Sequence, residues 1–150
     1  METYPVEPMG KPRMTRADRI TMAKIKARKR MNKREMKRVR LLSRWMAYQD
    51  ECRIRHIKLD LDHYYHLIFV LPMPASWSMA QREAAMYTPH QAKPDKDNLE
   101  KGLLDTLYGE DMAAWNGQVT KVWGQAGGII VSKSQIDVSA RSLFVLVEGA

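Results

Sequence analysis

Two spacings of apolar residues divide the chain into short elements. Thr3 to Val6 reads as a short first strand, and Pro8 to Arg13, with Gly10 and Pro12, as a loop. From Ala17 to Arg55 there is no proline or glycine, and most residues favour helix. Within that stretch Met36, Val39, Leu42 and Met46 recur every three or four positions, with Trp45 nearby. This predicts an amphipathic helix that buries one face. The apolar stripe thins between Ile20 and Arg34, so that part is expected to project into solvent. Tyr64 to Leu71 is apolar at alternate and intervening positions alike, the pattern of a central strand covered on both faces. Pro72 and Pro74 end it. Ser76 to Tyr87 reads as a short helix and Thr88 to Pro94 as a linker. Asn98 to Tyr108 is a second helix, with Leu99, Leu103, Leu104 and Leu107 on one side. Gln118 to Val131 is either two short strands or one strand interrupted by Gly124, Gly127 and Gly128, and Ser142 to Glu148 reads as a terminal strand. The pattern predicts an α+β fold: a single domain over residues 1–150, with a small mixed sheet packed against helices.

Charge changes this picture more than length does. The 150 residues carry a formal net charge of +8, which calls for a polyanionic partner: DNA, RNA or an anionic membrane surface. The longest apolar run, around Leu67 to Met73, is too short to cross a bilayer, and Met1 to Gly10 has no secretion-signal pattern. Cys52 is the only cysteine, so no internal disulfide forms; a reduced thiol on a helix and a cytoplasmic protein are expected. The positive charge is concentrated between Lys11 and Arg44, opposed there only by Asp18 and Glu35. Lys24, Lys26, Arg28, Lys29, Arg30, Lys33, Arg34, Lys37 and Arg38 circle much of the long helix. They read either as a solvated face or, at this density, as a phosphate-tracking surface. Lys11, Arg13 and Arg16 offer a second DNA contact from the preceding loop. Each neutralised phosphate would contribute roughly −0.9 to the salt slope on duplex DNA.

The chemistry-bearing segment runs from Lys93 to Lys101. Asp95 and Asp97 are two residues apart just before a helix; in an extended stretch such residues point the same way. Paired carboxylates make a hard-oxygen site suited to Mg²⁺. Lys101, one turn into the helix, can return to the same end and stabilise charge on a phosphate. A structural reading stands beside this one. Asp97 and Glu100 have capping-box spacing, and Lys101 and Asp105 suit a helix-surface ion pair.

Pro94-Asp95-Lys96-Asp97-Asn98-Leu99-Glu100-Lys101, followed by Leu104-Asp105, resembles the D-x-D-N-L-x-K segment of RusA-type Holliday-junction resolvases. Gly10-Lys11-Pro12-Arg13 looks like the loop after the first strand in many relatives. Gln118-Val119 matches the end of the family's D-x-Q-V segment. The resemblance implies a homodimer that binds four-way junction DNA and cuts two symmetric strands with Mg²⁺, or Mn²⁺ in its place. It implies Asp95 and Asp97 as metal ligands and Lys101 as the catalytic lysine. The family's third carboxylate lies two residues before the glutamine, and here that position is Asn116. Asparagine keeps an acceptor oxygen but loses the charge. Three readings follow: a deliberate Asp-to-Asn change that traps an inactive protein, a natural variant in which Glu110 or Asp111 supplies the carboxylate, or a degenerate binding protein.

Other motifs narrow the field. His63 and His66 read as structural, and His56 and His90 lack partners at metal spacing. Trp45 and Trp123 read as core; Trp77 suits burial or a dimer contact better than a wedge at a junction. The Gly124 to Gly128 stretch lacks the lysine and helix of a P-loop, so no nucleotide cofactor is expected. A non-enzymatic nucleic-acid-binding protein using the basic helix is the competing function, and a ribosomal-type RNA binder leaves the Asp95/Asp97/Lys101 arrangement unexplained.

Overall fold

The computed structural model describes residues 1–149. Its elements run β1 (Glu2–Tyr4), α1 (Arg16–Lys26), α2 (Lys33–Ile54), β2 (Tyr65–Pro72), α3 (Met79–Ala85), α4 (Lys96–Tyr108), β3 (Gly117–Gly124), β4 (Gly128–Ser132) and α5 (Ala140–Glu148). The four strands form one mixed sheet in the order β1-β4-β2-β3. β2 pairs antiparallel with β4 and parallel with β3, Tyr65 opposite Gly117 and Leu71 opposite Trp123. The fold is α+β, as the sequence pattern predicts.

β2 lies between β4 and β3, which explains its unbroken apolar run. Leu67, Phe69 and Leu71 pack on one face with Trp45, Tyr48 and Cys52 of α2 and Leu99, Leu103 and Leu104 of α4. Ile68 and Val70 pack on the other face with Val122, Ile130 and Leu143. Leu143 belongs to a helix, which corrects the expectation of a terminal strand over Ser142 to Glu148. The Ser139 hydroxyl accepts from the Ser142 amide, a cap that starts a helix there. Leu143 and partly buried Leu146, three apart, then meet the sheet on one stripe while Phe144 and Val145 face out. A run that is apolar at every position carries neither period clearly, so the cap decides it.

The long basic helix is also corrected: it is two helices. Arg28 sits in the left-handed region at φ 53°, and Asn32 restarts the helix by accepting from the Glu35 amide at 2.8 Å. Asp18 of α1, 1% exposed, clasps Arg38 of α2 at 2.6 and 2.8 Å, and Lys24 pairs with Glu35 at 2.8 Å. The arm is therefore a helical hairpin held by the very acids that interrupt its positive run. Arg38 holds the Asp18 carboxyl well below the usual carboxylate range. The buried stripe of α2 is Leu42, Trp45, Tyr48 and Cys52, whereas Met36 and Met46 are exposed. Burial raises the Cys52 thiol to about 11, so it is an inert packing group.

His66 is fully buried on β2. Its Nδ1 accepts from the Ile136 amide at 3.0 Å, so the ring proton lies on Nε2, 2.9 Å from the Thr120 hydroxyl. Protonation would set a second N–H against the Ile136 amide, and burial already lowers the pKa of His66; burial also lowers that of His90. A histidine depressed in the folded state contributes stability that is full above the unfolded pKa, near 6.5, and is lost as pH falls through that value. The urea midpoint should therefore drop between pH 7.5 and 5.5, because below that pKa the unfolding free energy falls by at most about 1.4 kcal/mol per pH unit per histidine. A midpoint flat across that range would contradict this account.

Candidate active site

Helix α4 positions the acidic segment, but it begins at Lys96, two residues before the expected Asn98. Asp95 is the N-cap, its carbonyl accepting from Leu99 at 3.1 Å, while its side chain makes no capping bond. Asp97 thus lies inside the first turn, and the extended geometry expected for the Asp95/Asp97 pair ends at Asp95. A carboxylate in a first turn also gains from the helix dipole. Trp45 and the Lys11 backbone approach Gly102 so closely that a Cβ there would sit 3.1–3.2 Å from them. This lets the N-terminal loop lie along α4, where Lys11 Nζ meets Asp105 at 2.6 Å. Asp105 is therefore held by Lys11, and Lys101 turns instead to Asp111 at 3.4 Å.

A recess of about 420 Å³ opens beside α4. It is lined by Asp97, Glu100, Lys101 and Leu104 of α4, by Tyr65 of β2, and by Asp111, Ala114, Trp115, Asn116 and Gly117 of the segment that leads into β3. Gly117 is needed here, because a Cβ would lie 2.5 Å from the Tyr65 ring. With the way clear, the Tyr65 hydroxyl donates to Glu100 at 2.9 Å. Burial, then the Glu100 carboxylate, push the Tyr65 phenol well above its usual range, so it remains a donor. Asn116 Nδ2 donates to the His63 carbonyl at 3.2 Å, and Trp115 Nε1 to the Leu61 carbonyl at 3.1 Å.

Of the residues expected at the site, Asp97, Lys101 and Asn116 line this recess together. Asp95 is not among the lining residues. It caps α4 near Lys121 of β3, whose Nζ donates to the carbonyls of Ala92 and Pro94, both at 2.7 Å. The preceding segment is tied to the same strand, His90 N to Lys121 O at 3.0 Å and Trp123 N to Thr88 O at 3.0 Å. So the stretch read as a linker runs along the edge of β3 and fixes the start of α4. Burial lowers the Lys121 pKa, and the Asp95 charge partly opposes this. Of the two acids named as substitutes, Asp111 lines the recess and Glu110 does not. Tyr65, Glu100, Trp115 and Lys121 escape sequence reasoning, because Tyr65 and Glu100 meet only through the β2–α4 packing and Lys121 acts on a loop 27–29 residues away. Among the described residues, no group of three or more His, Cys, Asp or Glu is placed to hold a metal ion.

The basic arm divides similarly. Lys11, Lys24 and Arg38 are committed to acids, and Arg38 also donates to the Arg13 carbonyl. Arg13, Arg16, Lys26, Arg28, Lys29, Arg30, Lys33, Arg34 and Lys37 are exposed and form no ion pair among the described residues. Among the described residues, no helix is long and apolar enough to cross a membrane.

The protein thus pairs a recess lined by carboxylates and an ammonium with a helical arm of exposed cations, both on a small α+β fold. The family model described as endodeoxyribonuclease RusA matches residues 5–132, and the chain belongs to this family of Holliday-junction resolvases. The match begins just after β1, takes in α1 to α4 and strands β2, β3 and β4, and ends before α5. No curated protein and no solved structure matches the chain.

Proposed function

We propose that this chain is a divalent-metal-dependent endonuclease that resolves four-way DNA junctions, with Asp97 and Lys101 at the centre of the reaction. The observation that carries the reading is the convergence of Asp97, Lys101 and Asn116 on one recess in a chain of the RusA family.

The donor set of the recess fits Mg²⁺, which takes one or two carboxylates and completes its shell with water and phosphate oxygens. Asp97 and Asp111 offer carboxylates, and Asn116, its Nδ2 turned to His63, keeps its amide oxygen for a cation. Asp95, the N-cap of α4, lies outside the lining of the recess, and its role as a further ligand rests on the family resemblance. A bound divalent ion would supply Lewis acidity and an activated water at neutral pH; Mn²⁺ would serve in place of Mg²⁺. Lys101 faces the same space and neutralises charge on the phosphate as the P–O bond breaks. The Asp111 contact holds its ammonium there in the free protein.

Affinity comes from the exposed cations of the α1–α2 arm, with Arg13 and Arg16 beside them, and is independent of base sequence. Two cuts in a two-fold symmetric junction require two such sites, hence a homodimer. A second reading, a binding protein without catalysis, draws on the uncharged Asn116 and the lack of a three-acid cluster among the described residues. Competition in EDTA between a four-way junction, linear duplex and RNA tests the shared part of both readings. The junction should compete at least about tenfold better than duplex, with a steep loss of affinity as salt rises. Equal competition by RNA would sink the junction assignment.

A further inference from the structure

Trp115 is 71% exposed, although a tryptophan ordinarily gives most of its surface to packing. Its indole edge is pinned to the Leu61 carbonyl at 3.1 Å, so the ring is held in one orientation with much of its surface open. It borders the recess that Asp97, Lys101 and Asn116 line. Met112, on the same loop, is 80% exposed. Among the described residues no aromatic side chain stacks on Trp115. The other three tryptophans all have ring partners: Trp45 with Tyr48, Trp77 with Trp123, and Trp123 with His90. A fixed, open indole next to a phosphate-binding recess matches the flat apolar face of a nucleobase.

We infer that Trp115 is a substrate-binding residue that stacks on an unstacked base of the nucleotide next to the phosphate in the recess. This rests on the reading of that recess as the nuclease site. Inside a continuous duplex both faces of every base are covered by neighbours, so the indole finds nothing to stack on without unstacking a step. At a branch point a base face is already open. Trp115 therefore adds preference for branched DNA, while the cationic arm adds affinity for any DNA.

The test uses the full chain in EDTA, where binding is read without cleavage. The probe is a four-way junction carrying 2-aminopurine beside the branch. The wild-type chain should change the probe's fluorescence on binding. Trp115→Ala should abolish that change and weaken junction binding about tenfold, with duplex binding altered less than about twofold. Trp115→Phe, which keeps an aromatic face, should restore most of both. An unchanged fluorescence signal in Trp115→Ala would overturn the inference, as would equal losses on junction and duplex. Sedimentation of the same variants covers the other occupant of an exposed indole, a second copy of this chain. If Trp115→Ala dissociates a dimer and leaves the fluorescence change intact, the residue is a subunit contact and the inference fails. A wild-type chain with no junction preference removes the underlying reading, and this inference with it.

Discussion

Asn116→Asp should increase Mg²⁺-dependent junction cleavage by about 10- to 100-fold, the range over which single partners of a metal site change its affinity. The substitution keeps the shape of the side chain and adds a negative charge to a recess that already holds Asp97 and Asp111. It also removes a donor. Asn116 Nδ2 donates a hydrogen bond to the His63 carbonyl at 3.2 Å, and an aspartate oxygen at that point has no proton to donate and faces another oxygen. The metal-free variant should therefore lose about 1 kcal/mol of stability. Mg²⁺ should offset that loss, because a ligand that binds only the folded chain stabilises it. The expected pair of results is a lower Tm in EDTA and a larger Mg²⁺-dependent rise than the wild-type chain shows. A variant that cuts no faster and gains no Mg²⁺-dependent stability would leave Asp111, rather than residue 116, as the completing ligand.

Asp97→Asn, made in the Asn116→Asp background so that the starting rate is high, should reduce cleavage by at least about 100-fold. Asp97 is exposed, lies in the first turn of α4 and lines the recess, so the change removes a carboxylate without opening the core. The lost helix-dipole interaction costs only about 0.3–1 kcal/mol, too little to unfold the chain. Junction binding in EDTA should stay within about twofold, because the cationic arm supplies it. Lys101→Ala offers a contrast with a different signature. It should also lower cleavage by about 100- to 1000-fold, but excess Mg²⁺ should rescue Asp97→Asn in part and Lys101→Ala not at all. Full cleavage by Asp97→Asn would remove that carboxylate from the reaction.

The parts of the fold legible in the sequence are those where one period dominates. The central strand was readable from its two-faced apolar run, and α4 from Leu99, Leu103, Leu104 and Leu107 at helical spacing. The misread parts share a physical cause. Arg16 to Ile54 contains no proline or glycine, and the one local mark of the break is the capping box of Asn32 and Glu35 that starts α2. The break arises because Asp18 and Glu35 reach back to Arg38 and Lys24, contacts between residues 11 and 20 positions apart. The terminal segment is apolar at successive positions, and only its serine cap separates helix from strand. At the site, spacing predicts Asp95, Asp97 and Lys101 together; Asp97 and Lys101 share α4 and line the recess, whereas Asp95 stays at the helix cap outside it. Asn116 joined them only through the resemblance, and Asp111 was one of two acids between which spacing could not choose. Tyr65 and Trp115 reach the site through strand pairing and a loop tether, and Lys121 only ties down the loop before α4, contacts that a linear sequence does not display.

The measurement that bears most directly on the central claim is cleavage of a four-way junction labelled on each strand in turn. The wild-type chain and the Asn116→Asp variant are compared in Mg²⁺, with linear duplex in parallel. The account predicts that both proteins prefer the junction and that the variant nicks two opposite strands at symmetric positions, faster than the wild-type chain, with duplex left intact. Tight junction binding by both, without a nick in either Mg²⁺ or Mn²⁺, would contradict it and leave a structure-selective DNA-binding protein in its place.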